Sequence, residues 1–255
     1  VDAAGDAERA ALQHEHLGAR RAGGDEDLLR KEDGGPRERG EGRERPRGAE
    51  ALEAAVAAAR AAWLVGFDTT SNMEAGIRFE VPTAGTSAHA FTLAHDDEEA
   101  AFEAQIEAHG LETTLLVDTY EIDTGIDRAL AAAKRLGGVP GAIRIDSGDL
   151  AEEALRARKK LDDHGATSTR IVVSGDLDEY RIAQLADHPI DGYGVGTQLV
   201  VGSGHATAGM VYKLVAIARR SGTYEPVVPV AKSSEGKATR GGVVRPYRSL
   251  DDGTA

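Results

Sequence analysis

From residue 113 onward, short apolar β-rich runs alternate with amphipathic helical runs, and this alternation limits the possible folds more than any other feature. TTLLVDTY (113–120), GAIRIDSGD (141–149), RIVVSGD (170–176) and DGYGVGTQLV (191–200) read as strands. After the first, Ile126, Ala129, Leu130 and Ala133 recur at helical spacing; after the second, Leu150, Ala154, Ala157 and Leu161 do the same. Asp149 is placed to cap that second helix, with Glu152 three residues on, and Gly165 is placed to stop it. Residues 178–186 read as a shorter helix ended by His188-Pro189. Nearly continuous apolar strands separated by helices imply a parallel sheet covered by helices. An open doubly wound sheet and a (β/α) barrel both satisfy that pattern, and periodicity does not separate them.

The 255 residues, 41% of them hydrophobic, suffice for one large domain with a real core. Lys and Arg total 30 against 43 Asp and Glu, a net charge of −13, which argues against nucleic acid or an anionic membrane as the main partner. Cysteine is absent, so disulfides and thiolate metal sites are excluded, in keeping with a reducing cytoplasm. Residues 1–10 hold no apolar run suited to a signal peptide, and nowhere do 18 apolar residues run together. The expectation is a soluble cytoplasmic protein. Composition changes near residue 50. GGPRERGEGRERPRG (34–48) has no periodicity and too little apolar surface to offset its ordering entropy, whereas the alanine-rich residues 51–62 favour helix throughout. The expected plan is a low-complexity, disordered or aberrant segment over 1–50, an α/β domain over 51–242 and a truncated tail over 243–255.

Each expected strand is apolar until its C-terminal end and then turns polar: Asp118 and Thr119; Arg144, Asp146, Ser147 and Asp149; Ser174 and Asp176; Thr197. In parallel α/β folds those ends share one face, and that face carries the active site. Arg144 and Asp146 lie two apart and so point to the same side of their strand; there a guanidinium can grip an anionic group in bidentate fashion, or simply form an internal ion pair. GYGVGT (192–197) offers mobile backbone N–H groups and a hydroxyl suited to phosphate, and VGSGHATAG (201–209) follows it. GTSAHAF (85–91) sets His89 among small residues that leave room for a ligand. His109 and His164 precede helix-stopping glycines, His14 and His16 fall in the low-complexity region, and His95 and His205 stay open. Outside the low-complexity region no HxH or HExxH ligand spacing occurs, so no resident transition metal is expected.

GTSAHAF, TTLLVDTY, IRIDSGDL, IVVSGDLDEYRI, DGYGVGT and GMVYKLV, in that order, resemble successive motifs of the nicotinate phosphoribosyltransferase family. FDTTSNMEAG (67–76) is similar to that family's GF-x-x-TSN-x-x-AG stretch. The resemblance implies an α/β fold, an irregular (β/α) barrel of the type II phosphoribosyltransferase kind, here with an incomplete or disordered N-terminal region. It implies an enzyme of NAD salvage that joins nicotinate to 5-phosphoribosyl 1-diphosphate, giving nicotinate mononucleotide and diphosphate with coupled ATP hydrolysis. His89 matches the histidine that ATP phosphorylates. Thr86 and Arg144 match nicotinate contacts, Asp146 the carboxylate that holds the ribose hydroxyls and offsets oxocarbenium charge, and Gly194, Gly196 and Thr197 the phosphate cradle. Ser147, Asp149, Ser174 and Asp176 join these as expected substrate-binding residues. Mg²⁺ is expected to arrive on ATP and diphosphate, and a homodimer is expected, with no nucleic acid or membrane partner. The family's N-terminal substrate-binding tyrosine and arginine pair have no counterpart in residues 1–50. Rival readings are an inactive fragment or pseudoenzyme of this family, a sister enzyme acting on nicotinamide or quinolinate, and a metal-dependent aldolase or hydrolase on the same barrel.

Overall fold

The computed structural model describes residues 47–201, 213–218, 227–234 and 236–243, with side chains from Glu53 on. VGSGHATAG beyond Val201, His205, the start of GMVYKLV and residues 1–46 and 244–255 lie outside the described residues. The chain divides into two units at Ala84/Gly85.

In the first unit the alanine-rich run forms α1 (Arg47–Leu64). A shorter helix, α2 (Met73–Phe79), starts where the Asn72 side chain accepts the Ala75 N–H at 3.1 Å, satisfying one of the helix's free donors. Val56, Ala75 and Val81 form a small apolar core with Ala59 packed against it. Arg78 bridges Glu53 and Glu74, and Thr70 pairs with Thr83 in a parallel bridge.

The second unit follows the expected alternation. Its elements are α3 (His89–Leu93), α4 (Glu98–His109), β1 (Thr114–Leu116), α5 (Ile122–Arg135), β2 (Ala142–Ile145), α6 (Leu150–Asp163), β3 (Arg170–Ser174), α7 (Glu179–Leu185), β4 (Gly192–Gly194) and α8 (Thr197–Val201). An antiparallel pair follows, β5 (Ala216–Ile217) with β6 (Val228–Pro229). Strands β1 to β4 form one sheet in chain order, every neighbouring pair parallel.

Side-chain alternation sorts this sheet into two faces. Leu115 and Val117, Ile143 and Ile145, and Ile171 and Val173 point one way and are 0% exposed. They form a single core with Phe102 and Ile106 of α4, Ile126 and Ala129 of α5, Ala154 and Leu161 of α6 and Ile182 of α7. The helical face read from the sequence is the buried one: Leu150, Ala154, Ala157 and Leu161 are all in the core. The other face carries the row Leu116, Arg144, Val172, Gly192, matched in register. Two residues further along come Asp118, Asp146, Ser174 and Gly194, of which Ser174 and Gly194 are register partners.

Packing under the sheet end is close. A Cβ on Gly125 of α5 would lie 2.0 Å from the Val117 carbonyl oxygen, so only glycine lets the helix approach β1 this closely. Asp149 caps α6 as expected, accepting the Ala151 and Glu152 N–H groups, and Gly165 adopts φ +76 just past the helix end. All four strands end earlier than the sequence reading, at Leu116, Ile145, Ser174 and Gly194, and in the last of them the element itself changes. The expected strand over 191–200 stops at Gly194, and residues 197–201 turn into α8. Its glycines, at 192, 194 and 196, contribute no side chains to hold a longer strand.

Candidate active site

The polar strand ends converge on one cluster in the second unit. Arg144 is its hub: Nε donates to Ser174 Oγ at 2.7 Å, Nη1 to Thr86 Oγ1 at 2.7 Å and Nη2 to Asp146 Oδ1 at 3.0 Å. Asp146 Oδ1 also accepts from Ser174 Oγ at 2.7 Å, and Oδ2 from Lys237 Nζ at 3.0 Å. Lys237 donates to the Asp146 carbonyl as well. Gly175, at φ +124, leaves room for it: a Cβ there would lie 3.6 Å from Lys237 Nζ and 3.2 Å from the Asp146 carbonyl oxygen.

His89 opens α3 beside this network. Its Nδ1 lies 3.1 Å from Thr119 Oγ1, and its Nε2 lies 2.6 Å from Lys232 Nζ, 3.7 Å from Asp118 Oδ1 and 4.0 Å from Asp146 Oδ2. Asp118 is 0% exposed. Its Oδ2 accepts the Asp146 N–H at 3.1 Å and the Ser147 hydroxyl, while Oδ1 has no hydrogen-bond partner among the described residues. Ser234 Oγ donates to the Asp118 carbonyl, which ties the segment after β6 to the end of β1.

Burial alone would raise the Asp146 pKa, but the hydroxyl of Ser174, the ammonium of Lys237 and the charge of Arg144 together hold the carboxyl well below the usual carboxylate range. Asp146 is therefore an anion throughout the neutral range. Burial pushes the Lys232 ammonium below the usual lysine range, with the carboxylates of Asp118 and Asp146 opposing. The cluster combines three cationic groups, two carboxylates and an imidazole, a set suited to polyanionic substrates that also carry hydroxyls.

Donor atoms of His89, Asp118 and Asp146 lie within 4.8 Å of one another, a spacing that a metal ion could bridge. Two ammonium groups occupy the same space, however: Lys232 on His89 Nε2 and Lys237 on Asp146 Oδ2. Their positive charge opposes a resident cation at that point.

Of the residues expected from sequence, Thr86, His89, Arg144, Asp146 and Ser174 meet in this one cluster. Ser147 is buried and its hydroxyl turns to Asp118. Asp149 is an exposed helix cap, and Asp176 is exposed at φ +53. Gly194 lies opposite Ser174, whose Cβ is 3.0 Å from the position a Gly194 Cβ would take. Gly196 has no neighbour within 4 Å of such an atom, and Thr197 begins α8. Lys232 and Lys237 were not among the expected site residues, while Asp118 and Thr119 were read as part of the polar strand-end face without a role of their own. The latter two stand at a strand end, where their polarity was a usable signal. The lysines reach the site from a loop that sequence periodicity does not place.

The profile of the nicotinate phosphoribosyltransferase (NAPRTase) family matches residues 42–239, which include every residue of this cluster. The chain belongs to that family. Among its relatives, nicotinate phosphoribosyltransferase pncB1 of Mycobacterium tuberculosis is 55% identical over 197 residues, covering 74% of this chain and 42% of that protein. The nicotinate phosphoribosyltransferase of Bacillus subtilis is 40% identical over 210 residues, 80% of this chain and 42% of that protein. The chain thus spans about two fifths of the length of these relatives. Among solved structures, the nicotinate-nucleotide pyrophosphorylase of Pyrococcus furiosus superposes with a TM-score of 0.51 at 28% identity, over 58% of this chain and 39% of that one. The nicotinate phosphoribosyltransferase of Porphyromonas gingivalis gives 0.55 at 22% identity, over 67% and 47%, a likeness of fold. Membership of the NAPRTase family fits the parallel α/β architecture. No described helix is long and apolar enough to cross a membrane.

Proposed function

We propose that this chain carries the reaction centre of a nicotinate phosphoribosyltransferase, which joins nicotinate and 5-phosphoribosyl 1-diphosphate into nicotinate mononucleotide and diphosphate with coupled ATP hydrolysis. The observation that carries the reading is the direct linkage of Thr86, Arg144, Asp146 and Ser174, with His89 at its edge, in a chain of this family.

Arg144 and the Thr86 hydroxyl hold the carboxylate of nicotinate, a planar anion matched to a guanidinium fork. The pyridine nitrogen attacks ribose C1, the C1–O bond to diphosphate breaks, and diphosphate leaves with the electron pair. Asp146, ionised and fixed by Ser174 and Lys237, receives the ribose hydroxyls and offsets the positive charge that builds at C1. Gly194, Gly196 and Thr197 receive the 5-phosphate, and Ser174 and Asp176 complete the substrate face. In the coupled step a ring nitrogen of His89 attacks the γ-phosphorus of ATP, the bond to the bridging oxygen breaks, and ADP leaves. Mg²⁺, bound to the phosphates, would supply charge neutralisation there.

The four parallel strands in chain order, without the order reversal of a doubly wound sheet, support a closed (β/α) barrel whose inner face is the Leu116, Arg144, Val172, Gly192 face. A homodimer in the cytoplasm is the expected working form. The experiment is product analysis with 5-phosphoribosyl 1-diphosphate, Mg²⁺, ATP and either nicotinate or nicotinamide. Nicotinate mononucleotide from the acid at far higher kcat/KM than amide turnover is the expected result. Preference for the amide, or no product from folded protein, would overturn the proposal.

A further inference from the structure

Lys232 is 143 positions from His89 in the chain, yet its ammonium stands 2.6 Å from His89 Nε2. Its position is set by the backbone. The Lys232 N–H donates to Thr239 Oγ1 at 3.0 Å, and the Thr239 N–H returns to the Lys232 carbonyl at 2.9 Å. The next residue, Ser233, donates its N–H to the Thr119 carbonyl at 3.2 Å. Lys232 is 3% exposed.

An ammonium has three donors and no acceptor. A ring nitrogen at hydrogen-bond distance from it must offer its lone pair, which leaves the single proton of a neutral imidazole on Nδ1, facing Thr119 Oγ1 at 3.1 Å. Without the ammonium the surroundings favour the opposite tautomer. Nε2 looks toward Asp118 Oδ1 at 3.7 Å and Asp146 Oδ2 at 4.0 Å, and two carboxylate oxygens draw a proton to the nitrogen facing them. Asp118 Oδ1 is buried and has no hydrogen-bond partner among the described residues, so an Nε2–H would satisfy it.

We infer that Lys232 is a positioning residue that selects the tautomer of His89, keeping the lone pair on Nε2, the nitrogen turned toward Asp146 and away from the buried Thr119. The consequence for turnover rests on the reading of His89 as phosphoryl acceptor: Lys232 keeps that nitrogen nucleophilic and supplies positive charge where phosphoryl oxygens arrive.

The test is ring-nitrogen NMR on the full chain labelled with ¹⁵N-histidine, with a His89→Gln variant to assign the signals. Wild type is expected to show a protonated Nδ1 and an unprotonated Nε2; Lys232→Met is expected to carry the proton on Nε2. Lys232→Ala serves in place of the Met variant if the latter does not fold. An unchanged tautomer in the variant, or a protonated Nε2 in wild type, overturns the inference. In parallel, labelling of His89 from [γ-³²P]ATP is expected to fall at least tenfold in Lys232→Met. Equal labelling of the two proteins overturns the role of Lys232 in turnover. No labelling of wild type overturns the phosphoryl-acceptor reading instead, and the ring spectra then decide Lys232 alone.

Discussion

Replacing Arg144 with lysine keeps the charge and removes the fork. The guanidinium serves three partners at once, Ser174, Thr86 and Asp146, at 2.7, 2.7 and 3.0 Å. A lysine ammonium reaching the same place can keep the Asp146 contact but cannot span to Thr86 and Ser174 in that plane. Toward the nicotinate carboxylate the ammonium likewise gives one contact where the fork gives two, so one charge-assisted hydrogen bond to substrate is lost, nominally about 1.5–3 kcal/mol. The Arg144 side chain is 28% exposed, so water replaces part of it. A net loss of about 2 kcal/mol in transition-state binding remains, which is about 30-fold in kcat/KM for nicotinate. Steady-state kinetics over a nicotinate series measures it. The proposed carboxylate contact requires most of the loss to fall on the nicotinate KM, with the KM for 5-phosphoribosyl 1-diphosphate changing less. A kcat/KM within threefold of wild type in folded protein would refute the assignment of Arg144 as the nicotinate clamp.

Two further outcomes follow from packing and burial. Gly125→Ala places a methyl 2.0 Å from the Val117 carbonyl oxygen, forcing α5 away from β1; thermal or denaturant unfolding should show a loss of about 1–3 kcal/mol, typical of overpacking. Glu98, fully buried with Oε2 at 3.0 Å from Arg128 Nη1 and Oε1 without a hydrogen-bond partner among the described residues, has its pKa raised from 4.5 to about 7, chiefly by burial, with Arg128 opposing. The folded state thus binds the proton more tightly than the unfolded one, so this group's contribution falls as pH rises from about 4.5 to about 7 and is flat above. Glu98→Gln should gain stability relative to wild type across that window, by at most about 3 kcal/mol, and melts at pH 5 and pH 8 would measure the change in the difference.

The strand and helix order was legible because each core strand is apolar on its helix-facing side and each helix repeats small or aliphatic residues at 3.6-residue spacing, as Ile126, Ala129 and Ala133 do. The convergence of Arg144, Asp146 and Ser174 was legible for the same reason: in a parallel sheet, polar residues at successive C-terminal ends fall side by side. Lys232 and Lys237 were not legible. They sit in a loop without period, and contacts spanning 143 and 91 positions leave no local mark. Asp149 shows the converse limit, since one carboxylate at a strand end serves equally as a helix cap or a ligand, and here it caps α6. The early end of β4 reflects its glycines, which carry no side-chain preference for extended over helical backbone.

Coupling of ATP to nucleotide formation through His89 is decided by comparing wild type with His89→Ala in an assay containing nicotinate, 5-phosphoribosyl 1-diphosphate and Mg²⁺, with and without ATP. Wild type is expected to form nicotinate mononucleotide with stimulation by ATP, and the variant to fold but gain nothing from ATP. A variant stimulated as strongly as wild type would contradict that coupling.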